Sequence, residues 1–243
     1  MELKPAGDRA VMAILGNSVS ELVNGKVMEL HEKLRRIQDG TRTGTQTGIL
    51  ESVPAFASLL VCYDPLVTDY QQVCAVIRGL EAEPGQESAP ERRSAGTLGP
   101  GRTVEIPVCY GGSYGEDLAY VAEHAGLTEE EVIGIHCGRT YRIYMLGFLP
   151  GFPYLGGLDE RLFTPRLSAP RTQIPAGSVG IGGSQTGIYP LKSPGGWRLI
   201  GRTPLTLFSP SERFTPLYRP GDSIRFVPVG EAEYKRIKQE QEG

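Results

Sequence analysis

The chain has 243 residues, of which 40% are hydrophobic and 22% charged, a composition typical of a soluble protein with one large or two small domains. Its formal net charge of −3 argues against nucleic acid as the main partner, because phosphate binding normally requires an excess of basic residues. No apolar run approaches the length of a bilayer span, and the first ten residues lack the apolar core of a signal peptide. We therefore predict a cytoplasmic protein without a membrane partner.

Cysteine and histidine usage gives no indication of a metal or a prosthetic group. The chain has four cysteines and three histidines, and the cysteines form neither a CxxC pair nor any other metal-ligand spacing. We predict reduced thiols and no metal site. The cysteines are Cys62, Cys74, Cys109 and Cys137.

Residues 1–80 predict a small α+β domain in the ferredoxin-like style, because short strands alternate with two amphipathic helices. No residue pattern in this region indicates chemistry, so we interpret it as a packing or docking domain. The predicted elements are a strand at 10–15, a helix capped by Ser18 and Glu21 and ended by Gly40, strands at 48–53 and 58–63, and a helix capped by Thr68 and Gln71.

A Pro-, Gly-, Ser- and charge-rich stretch at 81–102 predicts a polar linker, and the residues after it, 103–230, predict a mainly-β domain. Short strands between Gly- and Pro-rich turns favour a closed barrel or a sandwich, and the charged tail 231–243 predicts a helix. The predicted elements are a strand at 103–110, helices capped by Ser113 with Glu116 and by Thr128 with Glu131, a helix stop at Gly126, and strands at 141–148, 176–183, 196–203, 205–208 and 223–229.

Residues 147–157, "GFLPGFPYLGG", combine aromatic rings with a backbone that suits neither helix nor strand. We predict a proline-stiffened wall whose rings face a ligand or a partner. Phe148, Phe152 and Tyr154 would line a pocket together with Trp197, the single tryptophan, since aromatic walls with a few polar groups are typical of small-molecule sites. The same rings could instead form an exposed patch for a partner protein.

Three arginines, Arg166, Arg171 and Arg202, lie in or next to proline-containing turns, which would hold their guanidinium groups in place. Fixed arginines suit bidentate capture of a carboxylate or a phosphate. The alternative is that they form surface ion pairs with acids such as Asp159 and Glu160.

The glycine-rich run 175–197 and His136 complete the set of candidate site residues. Glycines could let the backbone approach a ligand and present N–H groups to an anion, although barrel corners and bulges would explain them equally well. His136, next to this segment, is the candidate general base, with helix-dipole stabilisation as the alternative. The polar side chains that we predict to contact substrate in the run are Ser178, Gln185, Tyr189 and Ser193.

Long strings in the second half, "GFLPGFPYLGGLD" and "PRLSAPRTQIPAGSVGIGGSQTGIYPLKSPGGWRLIGRTP", with "KPAGDRAV" near the start, resemble the KipI / allophanate hydrolase subunit 1 family, which includes the B subunits of 5-oxoprolinases. The resemblance implies a cyclophilin-like C-terminal barrel and a partner subunit of the KipA / allophanate hydrolase subunit 2 type, which is the C subunit of 5-oxoprolinase. The pair resembles the carboxyltransferase half of urea carboxylase. With the A subunit of 5-oxoprolinase, such pairs open 5-oxo-L-proline to L-glutamate using ATP, whose binding subunit the sequence does not indicate.

For this chain the resemblance implies a subunit of a heteromeric hydrolase, inactive alone, in which an arginine anchors the substrate carboxylate. Backbone N–H groups of 178–183 or the Gln185 amide would stabilise charge on the lactam oxygen, and His136 would move a proton. The alternative is a KipI-type inhibitor that binds a sporulation histidine kinase without catalysis. A prolyl isomerase rests on barrel likeness alone.

Overall fold

The computed structural model describes residues 1–18, 20–41, 47–83, 101–211 and 216–242. The chain divides into two compact units, Met1–Gly99 and Pro100–Gly243. Most of the predicted linker lies outside the described residues, but its first two residues are helical. Within the described residues no helix has the length and apolar character needed to cross a membrane.

The first unit is a four-stranded antiparallel sheet with two helices packed against it and against each other. Strand order is β1-β2-β4-β3, and the shared core includes Val11, Leu34, Leu59 and Ile77, none of which is exposed. The described elements run ββαββα, so the ferredoxin-like style, whose order is βαββαβ, stays a prediction. The elements are β1 (Glu2–Pro5), β2 (Ala10–Ile14), α1 (Glu21–Thr41), β3 (Ile49–Pro54), β4 (Ser58–Tyr63) and α2 (Tyr70–Ala82).

Both predicted helix starts in this unit are wrong by one or two residues. At α1 the Ser20 hydroxyl accepts the Val23 N–H at 3.1 Å, so Ser20 takes the place predicted for Ser18. At α2 the Asp69 carboxylate accepts the Gln72 N–H at 2.9 Å. Several residues able to cap a helix stand side by side at both starts, and the local pattern does not select between them. The predicted stop at Gly40 is also early, since α1 continues to the next residue.

The second unit is a closed seven-stranded barrel in the order β10-β7-β6-β13-β5-β12-β9. The pair β5–β13 is parallel, and β8 and β11 form a separate two-stranded sheet. The elements are β5 (Thr103–Tyr110), α3 (Leu118–Ala125), α4 (Glu129–Cys137), β6 (Thr140–Leu146), β7 (Pro153–Gly156), a 3-10 turn (Glu160–Leu162), β8 (Arg171–Ile174), β9 (Ser178–Gly182), β10 (Gln185–Ile188), β11 (Ser193–Gly195), β12 (Arg198–Arg202), β13 (Ser223–Pro228) and α5 (Glu231–Glu242).

The mainly-β barrel prediction is confirmed, and seven closed strands fit the cyclophilin-like expectation. The strand predicted at 205–208 is wrong: this apolar run is irregular, and Leu207 is buried in the barrel core without strand pairing. The Ser113–Glu116 cap is also wrong, because α3 begins at Leu118 and Glu116 pairs with Arg171.

Local signals are sufficient at two other helix ends of this unit. The capping box of Thr128 with Glu131 is present, with both reciprocal hydrogen bonds formed. Gly126 ends α3 in the left-handed region, with φ 66°. Both features need only residues a few positions apart in the chain, so the sequence pattern determines them.

The hairpin β9–β10 separates two environments that matter for function. Side chains alternate across a strand, and Val179 and Ile181 of β9 point into the barrel core. Gly180 and Gly182 therefore face outward, as does Gly187 of β10, which lies between the inward-facing Thr186 and Ile188. A two-residue turn, with Gly183 at φ 67°, joins the strands.

Candidate functional site

An aromatic cluster lies on the outer face of the β9–β10 hairpin. Phe152 packs edge to face against Tyr189 at 5.5 Å between ring centroids and against Trp197 at 5.6 Å. Tyr154 joins at 5.1 Å from Phe152. Edge-to-face pairs of this kind are favourable beyond the area that they bury. The structure thus brings together the four predicted pocket-wall residues and the predicted contact residue Tyr189. Phe152, Tyr189 and Trp197 are buried in this cluster and do not line an open cleft.

The outward-facing glycines form the floor on which Trp197 lies. A Cβ atom at Gly182 would lie 2.4 Å from Cδ1 of the Trp197 indole, and one at Gly187 would lie 3.0 Å from its Cζ3. Because β9 pairs with β10 on one side and β12 on the other, its backbone is taken up by two ladders. The glycines of β9 therefore give the indole room, and the hypothesis that this strand's N–H groups form an anion-binding nest is wrong.

Phe148, the fourth predicted wall residue, projects from the cluster with 63% of its surface exposed. Its ring meets Phe152 edge to face at 5.6 Å. Its backbone φ is 65°, and the Leu149 N–H donates to the Gly147 carbonyl at 2.7 Å across it. This is a γ-turn with a positive φ at its central residue, a rare and strained turn for a side chain as bulky as phenylalanine.

Two of the predicted arginines lie beside Trp197. Arg171 donates to the Trp197 carbonyl at 3.4 Å and forms 3.0 Å ion pairs with Glu116 and Asp117. The guanidinium of Arg166 lies over the Trp197 ring at 5.8 Å from its centroid. Arg166 is exposed and has no carboxylate within 4 Å among the residues that the structure describes. The alternative that the arginines form ion pairs with acids is confirmed for Arg171, but with Glu116 and Asp117 as partners. The Asp159 carboxylate pairs instead with Arg139 and Arg161.

Asp117 holds the arginine side of the site in place. Its carboxylate, in a residue only 7% exposed, accepts the Leu199 N–H at 2.7 Å and lies 3.7 Å from Arg198 in addition to its pair with Arg171. Arg198 in turn lies over the Tyr120 ring at 3.6 Å from its centroid. The sequence analysis did not predict Asp117 or Arg198 as site residues. Asp117 lies 54 positions before Arg171 in the chain, so local sequence patterns do not indicate that the two side chains meet.

Arg202 lies apart from this cluster, beside Tyr114. It donates to the Ser113 carbonyl at 3.4 Å, and its guanidinium is 5.9 Å from the Tyr114 ring centroid. Ser178 is its register partner across β9 and β12. The Arg202 Nε and the Ser178 and Ser193 hydroxyls are buried without a hydrogen-bond partner within the described part of the chain. Gln185, at the start of β10, is partly exposed.

His136 lies inside the barrel, on the other face of the hairpin from the aromatic cluster. It is fully buried and stacks on Phe226 at 4.5 Å between ring centroids. Its Nδ1 is 2.8 Å from the Tyr110 hydroxyl and its Nε2 is 2.9 Å from the Thr186 hydroxyl. Burial lowers its pKa to about 3, so the ring is neutral. The structure therefore does not bring His136 together with the arginines, and its role as general base stays a prediction.

Across the described ranges, no group of three or more His, Cys, Asp or Glu side chains is arranged to hold a metal ion. The site consists instead of a buried aromatic cluster with Phe148 at its exposed edge, an exposed cation over the largest ring of the cluster and a second cation fixed by acids. The exposed groups, Arg166 and Phe148, suit an anionic group of a ligand or of a partner protein.

Comparison with known proteins places the two units of the chain in one family. The model of the carboxyltransferase domain, subdomain C and D, matches residues 1–218. The chain belongs to this carboxyltransferase-domain family. It is 42% identical to the 5-oxoprolinase B subunit of Bacillus subtilis, over 98% of this chain and 97% of the relative. It is 59% identical to the 5-oxoprolinase B subunit of Escherichia coli O157:H7 over a shorter match, 54% of this chain and 60% of the relative. These relatives favour the predicted B-subunit function over the kinase-inhibitor alternative.

Two solved structures share the fold. The crystal structure of TTHA0988 matches 91% of this chain with a TM-score of 0.74 and 38% identity, and this chain covers 40% of it. The urea carboxylase of Kluyveromyces lactis matches 98% of this chain with a TM-score of 0.71 at 20% identity, and this chain covers 22% of it. Both proteins therefore carry further chain beyond the part that resembles this one.

Proposed function

We propose that this chain is the B subunit of an ATP-dependent 5-oxoprolinase, a hydrolase complex that opens 5-oxo-L-proline to L-glutamate. The observation that carries the proposal is the 42% identity to a 5-oxoprolinase B subunit over 97% of that protein's length. The exposed Arg166 guanidinium beside Trp197 supports it, because the proposed substrate carries a carboxylate.

Arg166 is the proposed anchor for that carboxylate. Arg171 already has two carboxylate partners, whereas Arg166 is exposed and lies over the Trp197 ring without an acidic partner within the described residues. A substrate carboxylate could pair with Arg166 at the exposed side of the cluster. Charge-assisted hydrogen bonds to arginine are among the stronger contacts available to a ligand.

Opening the lactam requires activation of a carbonyl that does not react readily with water. We propose that the complex transfers the γ-phosphoryl group of ATP to the lactam oxygen. Water then adds to the carbonyl carbon, and the C–N bond breaks with proton transfer to nitrogen, which leaves the γ-carboxyl group of glutamate as an acyl phosphate. A second water hydrolyses this acyl phosphate, so that phosphate leaves and L-glutamate is released. This chain would hold the ring and its carboxylate, and the nucleotide would be bound elsewhere in the complex.

Partner subunits would complete the site, so the chain would be inactive alone. The proposed partners are a C subunit of the KipA / allophanate hydrolase subunit 2 type and the A subunit of the same enzyme. The additional chain in TTHA0988 and in the urea carboxylase is compatible with a partner that is fused in some relatives. Phe148, exposed beside the cluster in a strained turn, is a suitable contact for such a partner, since strained residues concentrate at functional sites.

The test is reconstitution with the partner subunits encoded in the same genome. Glutamate is measured in mixtures of this chain, the partners, 5-oxoproline and ATP, with each component omitted in turn. Glutamate should form only in the complete mixture. Its absence there, with every subunit folded and associated, would overturn the proposal.

A second arm of the test concerns the anchor. Arg166→Ala should lower kcat/KM by about 10- to 100-fold, mainly through KM, because a charge-assisted hydrogen bond to the substrate is lost. Arg161→Ala is the matched control, since Arg161 is also exposed but is paired with Asp159, and we expect a change within about twofold. If Arg166→Ala behaves like the control, the anchor is not Arg166.

A further inference from the structure

A chain of hydrogen bonds crosses the barrel interior and ends beneath the aromatic cluster. The Cys137 thiol lies 3.3 Å from the Tyr110 oxygen, which lies 2.8 Å from Nδ1 of His136. On the other side, Nε2 of His136 is 2.9 Å from the Thr186 hydroxyl, which lies 3.2 Å from the Gly180 carbonyl oxygen. Gly180 belongs to the outward-facing glycine set that supports Trp197.

The direction of every bond in this chain follows from its last member. A carbonyl can only accept, so Thr186 donates its hydrogen to Gly180 and its oxygen accepts from Nε2–H of His136. The neutral ring then has a bare Nδ1, which accepts from the Tyr110 hydroxyl. The Tyr110 oxygen accepts from the Cys137 thiol. One tautomer of the ring satisfies all four bonds.

We propose that His136 is a positioning residue, a neutral link that fixes Thr186 and Gly180 and thereby sets the glycine floor under Trp197. Only the measurement of enzyme activity described below rests on the proposed function. His136 touches the inner face of the hairpin and Trp197 covers the outer face, so the imidazole acts on the site through the strand between them. A satisfied buried polar network of this kind rigidifies the segment that it joins.

The geometry disfavours proton transfer to substrate by His136. The ring is 0% exposed, and the aromatic rings of Tyr110, Tyr141 and Phe226 surround it. A general base must come within hydrogen-bond reach of the proton that it removes, directly or through one water. Both ring nitrogens of His136 already have protein partners.

Two matched pairs of variants separate positioning from acid–base catalysis. Glutamine at 136 can accept from Tyr110 and donate to Thr186 but cannot take up a proton near neutral pH, whereas leucine can do none of these. At 186, serine keeps the hydroxyl and valine keeps the shape without it. The four variants are His136→Gln, His136→Leu, Thr186→Ser and Thr186→Val.

The first readout needs only the full chain, because Trp197 is its single tryptophan. Thr186→Val and His136→Leu should shift Trp197 emission to the red and increase its quenching by acrylamide, since the floor under the indole relaxes. His136→Gln and Thr186→Ser should retain the wild-type emission. Thr68→Val, which removes a hydroxyl in the other unit, controls for the substitution itself.

The second readout is kcat/KM of the reconstituted complex. Thr186→Val should lower it by about 10- to 100-fold, because small displacements of a binding surface have effects of that size. His136→Gln should stay within about tenfold of the wild type, whereas loss of a general base costs about 100-fold or more. A folded His136→Gln protein with normal Trp197 emission and no activity would overturn the positioning role and support catalysis by His136. Unchanged emission in Thr186→Val would overturn it even if the complex shows no 5-oxoprolinase activity.

Discussion

The two faces of the β9–β10 hairpin differ in how their polar groups are satisfied. On the inner face, both nitrogens of His136 and the Thr186 hydroxyl have partners in a neutral network. On the outer face, Arg166 is exposed over Trp197 without an acidic partner in the described chain, and Phe148 projects from a strained turn. A closed network indicates a structural role, whereas an unpaired cation and an exposed ring at the edge of one cluster indicate a surface that contacts something else. The same short glycine-rich segment serves both because its side chains alternate.

The largest effect should come from the carboxylate that holds the outer face. Asp117→Ala would leave the Leu199 N–H and the Arg171 guanidinium without their buried partner. We expect the free energy of unfolding of the barrel unit to fall by about 3–5 kcal/mol, as for other buried pairs that lose one member. Urea denaturation followed by Trp197 fluorescence measures it.

Glu105→Ala is the control for that experiment. Glu105 pairs with Arg225 in the same unit, but both side chains are more than half exposed. Its loss should cost at most about 1 kcal/mol. Equal effects of the two substitutions would mean that the Asp117–Arg171 ion pair contributes no more than a surface pair. Arg171 would then not be held more firmly than the unpaired Arg166.

A smaller effect should follow from filling the floor under the indole. In Gly182→Ala the new methyl group would lie 2.4 Å from the Trp197 ring, so the ring must shift, at a cost of about 1–3 kcal/mol. Trp197 emission should move to the red in the same variant. Gly134→Ala in α4 has open space around its Cβ position and should be neutral or stabilising by up to about 1 kcal/mol. A Gly182→Ala protein with wild-type stability and wild-type emission would contradict the claim that Trp197 packs directly on Gly182.

The burial of His136 on the inner face of the hairpin predicts how the stability of the barrel unit depends on pH. The pKa of His136 is lowered to about 3 by burial, whereas an unfolded histidine titrates near 6.5. Above pH 6.5 both states are neutral and pH has no effect through this residue. Between 6.5 and 3 only the unfolded state binds the proton, so the barrel unit loses stability as pH falls, by about 2 kcal/mol at pH 5.

His136→Gln should flatten this dependence between pH 5 and 6.5, a window above the range where most carboxylates titrate. His31 has its pKa lowered to about 4 by burial and by Arg35, but it belongs to the first unit. Following Trp197 reports on the second unit alone. A slope that persists in His136→Gln would show that another group of the barrel unit carries it.

Much of the fold could be predicted because it depends on local patterns. The strand at 103–110 matches β5 residue for residue, and the Thr128–Glu131 box needs only residues three apart. Alternation of large residues with glycines in 178–182 indicates an inner and an outer face, but it does not say that His136 lies on one and the aromatic cluster on the other. The 205–208 run failed because apolar residues can be buried without strand pairing.

The site was predictable in its residue types and not in its pairings. Aromatic rings and arginines in 147–202 identified the cluster, because such residues are unusual beside proline and glycine. Asp117 could not be predicted in this way, because its partners are distant in the chain. A single acid before a helix becomes the acceptor for Arg171 and for the Leu199 N–H only when the barrel closes. The strain at Phe148 was equally hidden, since the sequence does not specify a positive φ at a phenylalanine.

The strain at Phe148 predicts the smallest of these effects, a reversal in the order of stability of the glycine and alanine variants. At ordinary φ, glycine is less stable than alanine by about 0.5–1 kcal/mol because it gains backbone freedom on unfolding. At Phe148, with φ 65°, Phe148→Gly should instead be more stable than Phe148→Ala by about 1 kcal/mol, since only glycine occupies this region without penalty.

Phe163 is the control, because it is also partly exposed but has φ −60°, and there the alanine variant should be the more stable. Thermal unfolding of the four proteins gives both differences. The same order at both positions would mean that the turn is unstrained. If the order reverses at 148 and complex formation weakens in both Phe148 variants, the ring is retained for contact at a cost in stability, as expected of the open face of the hairpin.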